Sequence, residues 1–278
     1  MRGADVVNSG VMGIVHDTYD MTGRVAIITG AARGLGKAAA TLLADVGAHV
    51  VIVDNRAALA ASTAAELRDA GYSADSAEVD VSKRLEVDAL VADVVGRHGR
   101  LDVMINNAGI ITESGPLDVT EDELDRVHAV NFRGVVFGSQ AAARAMIPNR
   151  KGSIINITSG AVDAATPFMI AYATAKAAAA QFSRSLAAEL GPHHVRVNTV
   201  APDWVDTPMN ERHVLNEDGT VDPERKAAYV AQRSKMSVMG IPGEPNDQAF
   251  AMLYLASDAA KFVTGQVLRP NGGVSMLW

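Results

Sequence analysis

The chain has 278 residues, 48% of them hydrophobic and 21% charged, and its 25 basic against 32 acidic residues leave a formal net charge of −7. That composition is ordinary for a globular protein, and with no dense Lys/Arg block it argues against nucleic acid or an anionic membrane as the main partner. There is no cysteine, so disulfides, thiolate catalysis and Cys-ligated zinc are excluded.

No apolar run approaches the ~20 residues needed to span a bilayer. Residues 1–20 also lack the pattern of a signal peptide, because their one apolar cluster, Val11 to Val15, contains Gly13 and is flanked by Asp5 and Asp17. A soluble cytoplasmic protein is expected. Residues 1–20 read as a loosely attached extension, dispensable for folding and turnover, ahead of a single domain over residues 21–278.

The first element, Val25 to Thr29, is a short apolar run ending at Gly30, the mark of a buried strand. Gly30-Ala-Ala-Arg33-Gly34-Leu35-Gly36 follows, then a helical pattern from Lys37 to Val46 closed by Gly47, then a β-branched strand from His49 to Asp54. Glycines here let the backbone turn tightly and approach a pyrophosphate, while the helix N-terminus offers free N–H groups. An acid about 20 residues past the glycines completes a dinucleotide-binding pattern.

Alternation continues with a helix from Ala57 to Ala70, a strand from Ser73 to Asp80, a helix from Val81 to His98 and a strand from Leu101 to Ile105. One long helix is expected over Glu121 to Ile147, with Thr120 and Glu123 as a capping box. Ser153 to Thr158 is the fifth strand, and Ala171 to Leu190 is an Ala-rich helix without Pro or Gly. A sixth strand (His194 to Val200), a helix (Glu244 to Ser257) and a last short strand (Gln266 to Leu268) finish the pattern. Regular β–α alternation with apolar strands predicts an α/β fold, a doubly wound parallel sheet with helices on both faces. The connection from Asp203 to about Gly243 is far longer than usual and reads as a substrate-side lid. The seven histidines show no ligand-like clustering apart from His193-His194 beside Pro192, which reads as a loop, so no metal site is expected.

Tyr172 and Lys176 stand four apart on the Ala-rich helix, hence on one face, one turn from each other. A free tyrosine titrates near 10, and an ammonium one turn away favours its phenolate, so the pair is a candidate acid/base unit.

With these residues in view the chain resembles the short-chain dehydrogenase/reductase family from about Thr22 to Gly273. The motifs that carry it are Thr29-Gly30-xxx-Gly34-x-Gly36, Asp80-Val81, Asn106-Asn107-Ala108-Gly109, Asn131, Ser159, Tyr172-xxx-Lys176 and the Asn198-to-Thr207 segment. The resemblance implies a seven-stranded Rossmann-type sheet, a nicotinamide cofactor and a homotetramer or homodimer joined through the long helices. It implies Tyr172 as proton donor and acceptor, Ser159 as hydrogen-bond partner of the same substrate oxygen, and Lys176 as both modulator of Tyr172 and ligand of the nicotinamide ribose. Asn131 would hold a water linked to Lys176. Asp80 and Val81 would meet the adenine, Asn107, Ala108 and Gly109 would line the adenosine ribose, and Pro202, Val205 and Thr207 would hold the carboxamide. Arg33 and Leu35 complete the expected cofactor loop. Three positions depart from the family pattern: Asp203 where Gly is usual, Asn271 where Asp is common, and Thr158 in place of Ser.

Asp54, at the end of the second strand, suits the adenosine ribose 2′-hydroxyl and repels a 2′-phosphate, which favours NAD(H) over NADP(H), although Arg33 and Arg56 could meet a phosphate. Val162, Phe168, Met169, Trp204 and Met209 are the expected substrate-facing residues, mostly apolar, and suggest an apolar or alicyclic secondary alcohol or ketone. The competing readings are an NADPH-dependent 3-oxoacyl-thioester reductase and a non-catalytic dinucleotide-binding sensor.

Overall fold

A computed structural model describes residues 9–276. Seven parallel strands form one sheet in the order β3-β2-β1-β4-β5-β6-β7. They are β1 (Val25–Thr29), β2 (His49–Asp54), β3 (Ala74–Glu78), β4 (Val103–Asn106), β5 (Gly152–Ile157), β6 (Val195–Val200) and β7 (Val267–Leu268). After the N-terminal helix α1 (Ser9–Tyr19), the helices are α2 (Gly34–Asp45), α3 (Ala57–Asp69), α4 (Arg84–His98), α5 (Glu121–His128), α6 (Gly134–Met146), α7 (Ile170–Leu190), α8 (Pro223–Ser234) and α9 (Pro245–Ala256). The predicted α/β architecture is the observed one.

Side-chain alternation along β1 shows how both faces are filled. Ala26 and Ile28 join Val50 and Ile52 under α2, α3 and α9, whereas Val25 and Ile27 join Val51, Val53 and Met104 under α4, α6 and α7. The strands are apolar on both sides because both sides are covered. Each fully buried Ile or Leu contributes about 1.5–3 kcal/mol relative to exposure, so these two layers carry most of the drive to fold. Among the described residues no helix is long and apolar enough to cross a membrane.

Strand order reverses between β1 and β4. In open parallel sheets a crevice opens at that switch point, outside the carboxyl ends of the strands. Thr29 and Asn107 lock the two strand ends together there. The Thr29 hydroxyl accepts from the amides of Asn107 and Ala108 at 3.0 and 3.1 Å, and Asn107 Nδ2 donates to the carbonyls of Thr29 and Gly30 at 2.9 and 3.0 Å.

Two elements differ from the sequence expectation. The long helix over Glu121 to Ile147 is interrupted by a π-helical turn, Ala129–Arg133, centred on Asn131. Such turns mark functional sites and carry no residue-type signature. The capping box at its start is half formed: Thr120 Oγ1 accepts from the Glu123 amide at 3.2 Å, but the Glu123 carboxylate turns instead to the Ser114 hydroxyl at 2.6 Å. The segment 203–243 is not an open loop. It holds a 3-10 turn (Glu211–His213) and α8, capped by the Asp222 carboxylate on the Arg225 amide, with Pro223 at the first helical position. A bridge between Val205 and Gly243 closes its base.

Candidate active site

A cleft of about 600 Å³ runs across the carboxyl ends of the strands, from Asp54 and Arg56 at one end to Tyr172, Lys176 and Asp203 at the other. Every residue expected to meet the cofactor lines it except Gly36. Gly36 lies just beneath, and its role is steric: a Cβ there would stand 2.5 Å from the Gly30 carbonyl oxygen. Gly30 itself has φ 62°, and a Cβ would reach within 2.8 Å of Ala108 Cα. The loop is thus packed tightly enough that only glycine fits. The first turn of α2 has no side-chain cap, because Arg33 at the cap position offers no acceptor, and Gly34 and Leu35 of that turn line the cleft. An uncapped helix N-terminus with glycine at its mouth fits a pyrophosphate.

At the far end of the cleft floor Asp54 is 5% exposed. Its Oδ1 accepts from Arg56 Nε at 3.0 Å and its Oδ2 from Arg56 Nη2 at 3.3 Å and from the Ala32 amide at 3.4 Å. The buried acid and the exposed guanidinium beside it thus both stand at this end of the cleft.

Ser159 follows β5 and caps a 3-10 turn, its Oγ accepting from the Ala161 amide at 3.1 Å. The Ser159 hydroxyl is also close enough to the Tyr172 phenol to favour its phenolate. Tyr172 and Lys176 stand on α7 as predicted, with Lys176 Nζ 5.8 Å from the ring centre and donating to the Ile157 carbonyl at 2.7 Å. Burial lowers the Lys176 pKa to about 8. The Tyr172 phenol is pushed up by burial, with Asp203 adding to the rise, while the Ser159 hydrogen bond and the Arg212 charge oppose it. Here the structure differs from the sequence expectation, in which Lys176 lowers Tyr172. The lysine is itself only weakly held as a cation, and its proton is committed to a carbonyl rather than to the phenol. The groups that favour the phenolate are Ser159 and a lid arginine.

Asn131 is fully buried, and its side chain grips one peptide: Oδ1 accepts from the Ile110 amide and Nδ2 donates to the Ile110 carbonyl, each at 2.8 Å. It therefore fixes the strand-end loop that forms the cleft wall at Gly109 and Ile110. A Cβ on Gly109 would lie 3.3 Å from Asn131 Oδ1 and 3.5 Å from Lys176 Nζ, so both polar groups lie close behind that loop.

Of the five expected substrate-facing residues only Met209 lines the cleft. Trp204 instead packs edge-on against Tyr229 at 5.8 Å. Phe168 is 61% exposed with φ 64°, and Met169 bridges to Ser114 ahead of α7. Val162 sits in the 3-10 turn after Ser159, outside the cleft. The apolar wall is supplied by Ile110 and Ile111, which the sequence reading passed over, and by Met209. Arg212 also lines the cleft, its Nη2 bonded to Glu113 at 2.5 Å, which ties the 203–243 segment to the loop after β4. Only tertiary placement reveals Arg212; along the chain it is one charge among many in the lid. Asp203 is half-buried beside Gly160, its Oδ1 accepting from the Trp204 amide at 2.9 Å, and burial raises its pKa.

Comparison with known proteins places this geometry among oxidoreductases. A family model described as enoyl-(acyl carrier protein) reductase matches residues 30–275. Momilactone A synthase of Oryza sativa subsp. japonica is 39% identical over 267 residues, 94% of this chain and 93% of the relative. The mitochondrial borneol dehydrogenase of Lavandula x intermedia is 37% identical over 260 residues, 92% of each chain. The crystal structure of a gluconate 5-dehydrogenase from Burkholderia cenocepacia J2315, in complex with NADP and tartrate, superposes with a TM-score of 0.85 at 33% identity, covering 94% of this chain and 98% of the other.

Proposed function

Because the chain belongs to the short-chain dehydrogenase/reductase family of oxidoreductases, we propose that it transfers a hydride between NAD(H) and a secondary alcohol or the corresponding ketone, with Tyr172 as general acid and base. The observation that carries this reading is that Tyr172 and Lys176 line one end of a single cleft, with Ser159 beside the phenol, while Asp54 lines the other end.

The nicotinamide ring, when bound, supplies the hydride acceptor for oxidation and the donor for reduction. The chain's own residues handle the proton and the positioning. In oxidation the Tyr172 phenolate takes the hydroxyl proton of the alcohol as the carbinol C–H electron pair departs; in reduction the phenol returns a proton to the new alkoxide. Ser159 holds the same oxygen by a hydrogen bond and favours the phenolate. Lys176 would hold the nicotinamide ribose hydroxyls, and a water at the turn of Asn131 would link it to solvent. The glycine loop and the α2 N-terminus would hold the pyrophosphate.

Asp54 supports NAD(H), since its carboxylate occupies the position of a ribose hydroxyl partner. A second reading, NADP(H) with an acyl-thioester substrate among the possibilities, draws on Arg33 and Arg56 at the same end of the cleft and on the NADP-bound relative. The KM ratio for NADH and NADPH decides between them; a clear NADPH preference overturns the Asp54 assignment. The walls at Ile110, Ile111 and Met209 support an apolar or alicyclic alcohol, a class that includes the substrate named by the borneol dehydrogenase relative. A panel of secondary alcohols with NAD⁺ at mildly alkaline pH, followed by NADH absorbance, tests it. Tyr172→Phe is the test of mechanism: turnover falls at least about 10²-fold while NADH binding stays near normal, and retained turnover refutes the role. A homotetramer or homodimer built through the α5–α6 and α7 helices is part of the same reading, and light scattering in solution checks it.

A further inference from the structure

At the amino-terminal ends of the strands, opposite the cleft, three side chains converge. His49 opens β2, Asp75 is the second residue of β3 and His98 closes α4. His49 Nε2 lies 3.3 Å and His98 Nε2 3.6 Å from one carboxylate oxygen, Asp75 Oδ2. The three atoms all fall within 4.8 Å of one another, and the two imidazole centres are 4.2 Å apart. Both Nε2 atoms are buried, and neither has a hydrogen-bond partner.

The protonation pattern makes this arrangement unusual. His49 Nδ1 is 2.7 Å from the Ser73 hydroxyl, which suits a proton on Nδ1 and leaves a lone pair on Nε2. Two imidazole nitrogens and a carboxylate oxygen that converge on one point are Lewis bases of the kind that ligate a divalent cation. A four-coordinate zinc with bonds of about 2.0–2.2 Å to nitrogen and oxygen sets its ligands about 3.3–3.6 Å apart, which spans the separations of 3.3 and 3.6 Å from Asp75 Oδ2 to His49 and His98. The Ser73 contact is the outer-sphere hydrogen bond that orients a metal-bound imidazole.

Arg97 is the other charge facing the cluster. Its Nη1 contacts Asp75 Oδ2, and its Nε is 2.9 Å from Asp93 Oδ2. A cation on Asp75 Oδ2 displaces Arg97 toward Asp93 or toward the remaining Asp75 oxygen. The Asp75 side chain, 35% exposed, gives a path from solvent.

We propose that His49, Asp75 and His98 bind one divalent cation of the zinc class, with water in the fourth position, and that this ion clamps the edge strand β3 and the end of α4 to β2. It lies at the far end of the strands from the hydride-transfer cleft, so its role is stability, not chemistry, and it stands independently of the activity proposed above.

The test is titration of EDTA-treated, chelator-free full-length protein with Co²⁺, which reports an imidazole-ligated tetrahedral site by visible absorption, followed by Zn²⁺ displacement and melting curves. The expected result is a band saturating at one equivalent, its loss on adding Zn²⁺, and a melting temperature several degrees higher with Zn²⁺ than with EDTA. The band persists in His193→Asn and disappears in His98→Asn, whose oxidoreductase turnover is unchanged. If His98→Asn does not fold, Asp75→Asn at the solvent-accessible corner carries the same comparison. Absence of the band in the wild-type protein overturns the proposal. So does a band that survives loss of His98 or Asp75, or a melting temperature indifferent to Zn²⁺.

Discussion

Lys176 holds its ammonium 5.8 Å from the centre of the Tyr172 ring, one helical turn away, yet donates to the Ile157 carbonyl at 2.7 Å. The pairing that the sequence suggests is therefore real in space but indirect in effect, and its cost is measurable. The folded pKa of Lys176, about 8, lies below the ordinary lysine value of 10.5, so the folded state binds this proton more weakly than the unfolded chain does. A group depressed in this way contributes most stability above its unfolded pKa and loses that contribution as pH falls through the folded value.

Lys176→Met should accordingly abolish turnover while stabilising the protein at pH 7. A difference of 2.5 units between 10.5 and 8 corresponds to about 3 kcal/mol at 1.36 kcal/mol per unit, and the lost Ile157 hydrogen bond offsets about 1 kcal/mol of it. A net gain of about 2 kcal/mol, seen as a melting temperature a few degrees higher, is expected at pH 7. That gain should shrink as pH rises from 8 and vanish near 10.5. Melting curves of both proteins across this range check it, and a variant less stable than the wild type at pH 7 contradicts it.

Asp203 and Arg212 act on Tyr172 with opposite signs. Asp203 raises the phenol pKa and Arg212 lowers it. Oxidation needs the phenolate, so its acidic limb follows the Tyr172 pKa. Asp203→Asn should move that limb to lower pH, and Arg212→Gln should move it to higher pH. The readout is the pH profile of kcat/KM for alcohol oxidation in each variant. Shifts of the same sign in both remove the electrostatic account.

Much of the fold and half of the site were legible in sequence because their signals are local. Gly30, Gly34 and Gly36 between two β-branched runs define a turn that only glycine fits, and Asp54 follows at the end of the next strand. Tyr172 and Lys176 share a face through helical spacing alone. What escaped depends on contacts between distant segments. Arg212 reaches the cleft by pairing with Glu113, 99 residues away. The π-turn at Asn131 exists so that one amide can grip the Ile110 peptide, and no residue type announces it. The apolar candidates Phe168 and Trp204 point elsewhere, since hydrophobicity near a motif does not say which way a side chain faces. His49, Asp75 and His98 come together only because adjacent parallel strands and a returning helix bring their ends to one corner.

A buried polar network ties β4 and β5 to α6 and α7, and it too was invisible in the linear chain. Asn156 accepts from Asn106 Nδ2 at 2.8 Å and from the Ser139 hydroxyl at 3.2 Å, and donates to the Ser183 hydroxyl at 2.9 Å. All four residues are at most 3% exposed. Asn156→Ala leaves several buried groups short of partners, each worth about 1–3 kcal/mol when unsatisfied. A loss of about 2–4 kcal/mol is expected, measured as a lower urea midpoint at unchanged slope. A midpoint within error of the wild type means that the network rearranges without cost.

Removal of residues 1–20 tests the boundary drawn from the sequence. Met21 is fully buried and its amide donates to the Val46 carbonyl at 2.8 Å, so the packed structure is already anchored there. Ahead of it, the described side chains of α1 offer little: Ile14 and Val15 are 66% and 60% exposed, and Tyr19 is only partly buried against the core around α2 and α9. At about 25 cal/mol per Å² of apolar surface, partial burial of one tyrosine contributes on the order of 1 kcal/mol. A chain beginning at Met21 should therefore be soluble, turn over substrate at the wild-type rate and melt at most a few degrees lower. Size-exclusion chromatography, steady-state kinetics and a melting curve on that truncate decide the matter. An insoluble or inactive product would mean that α1 makes a contribution its own contacts do not account for.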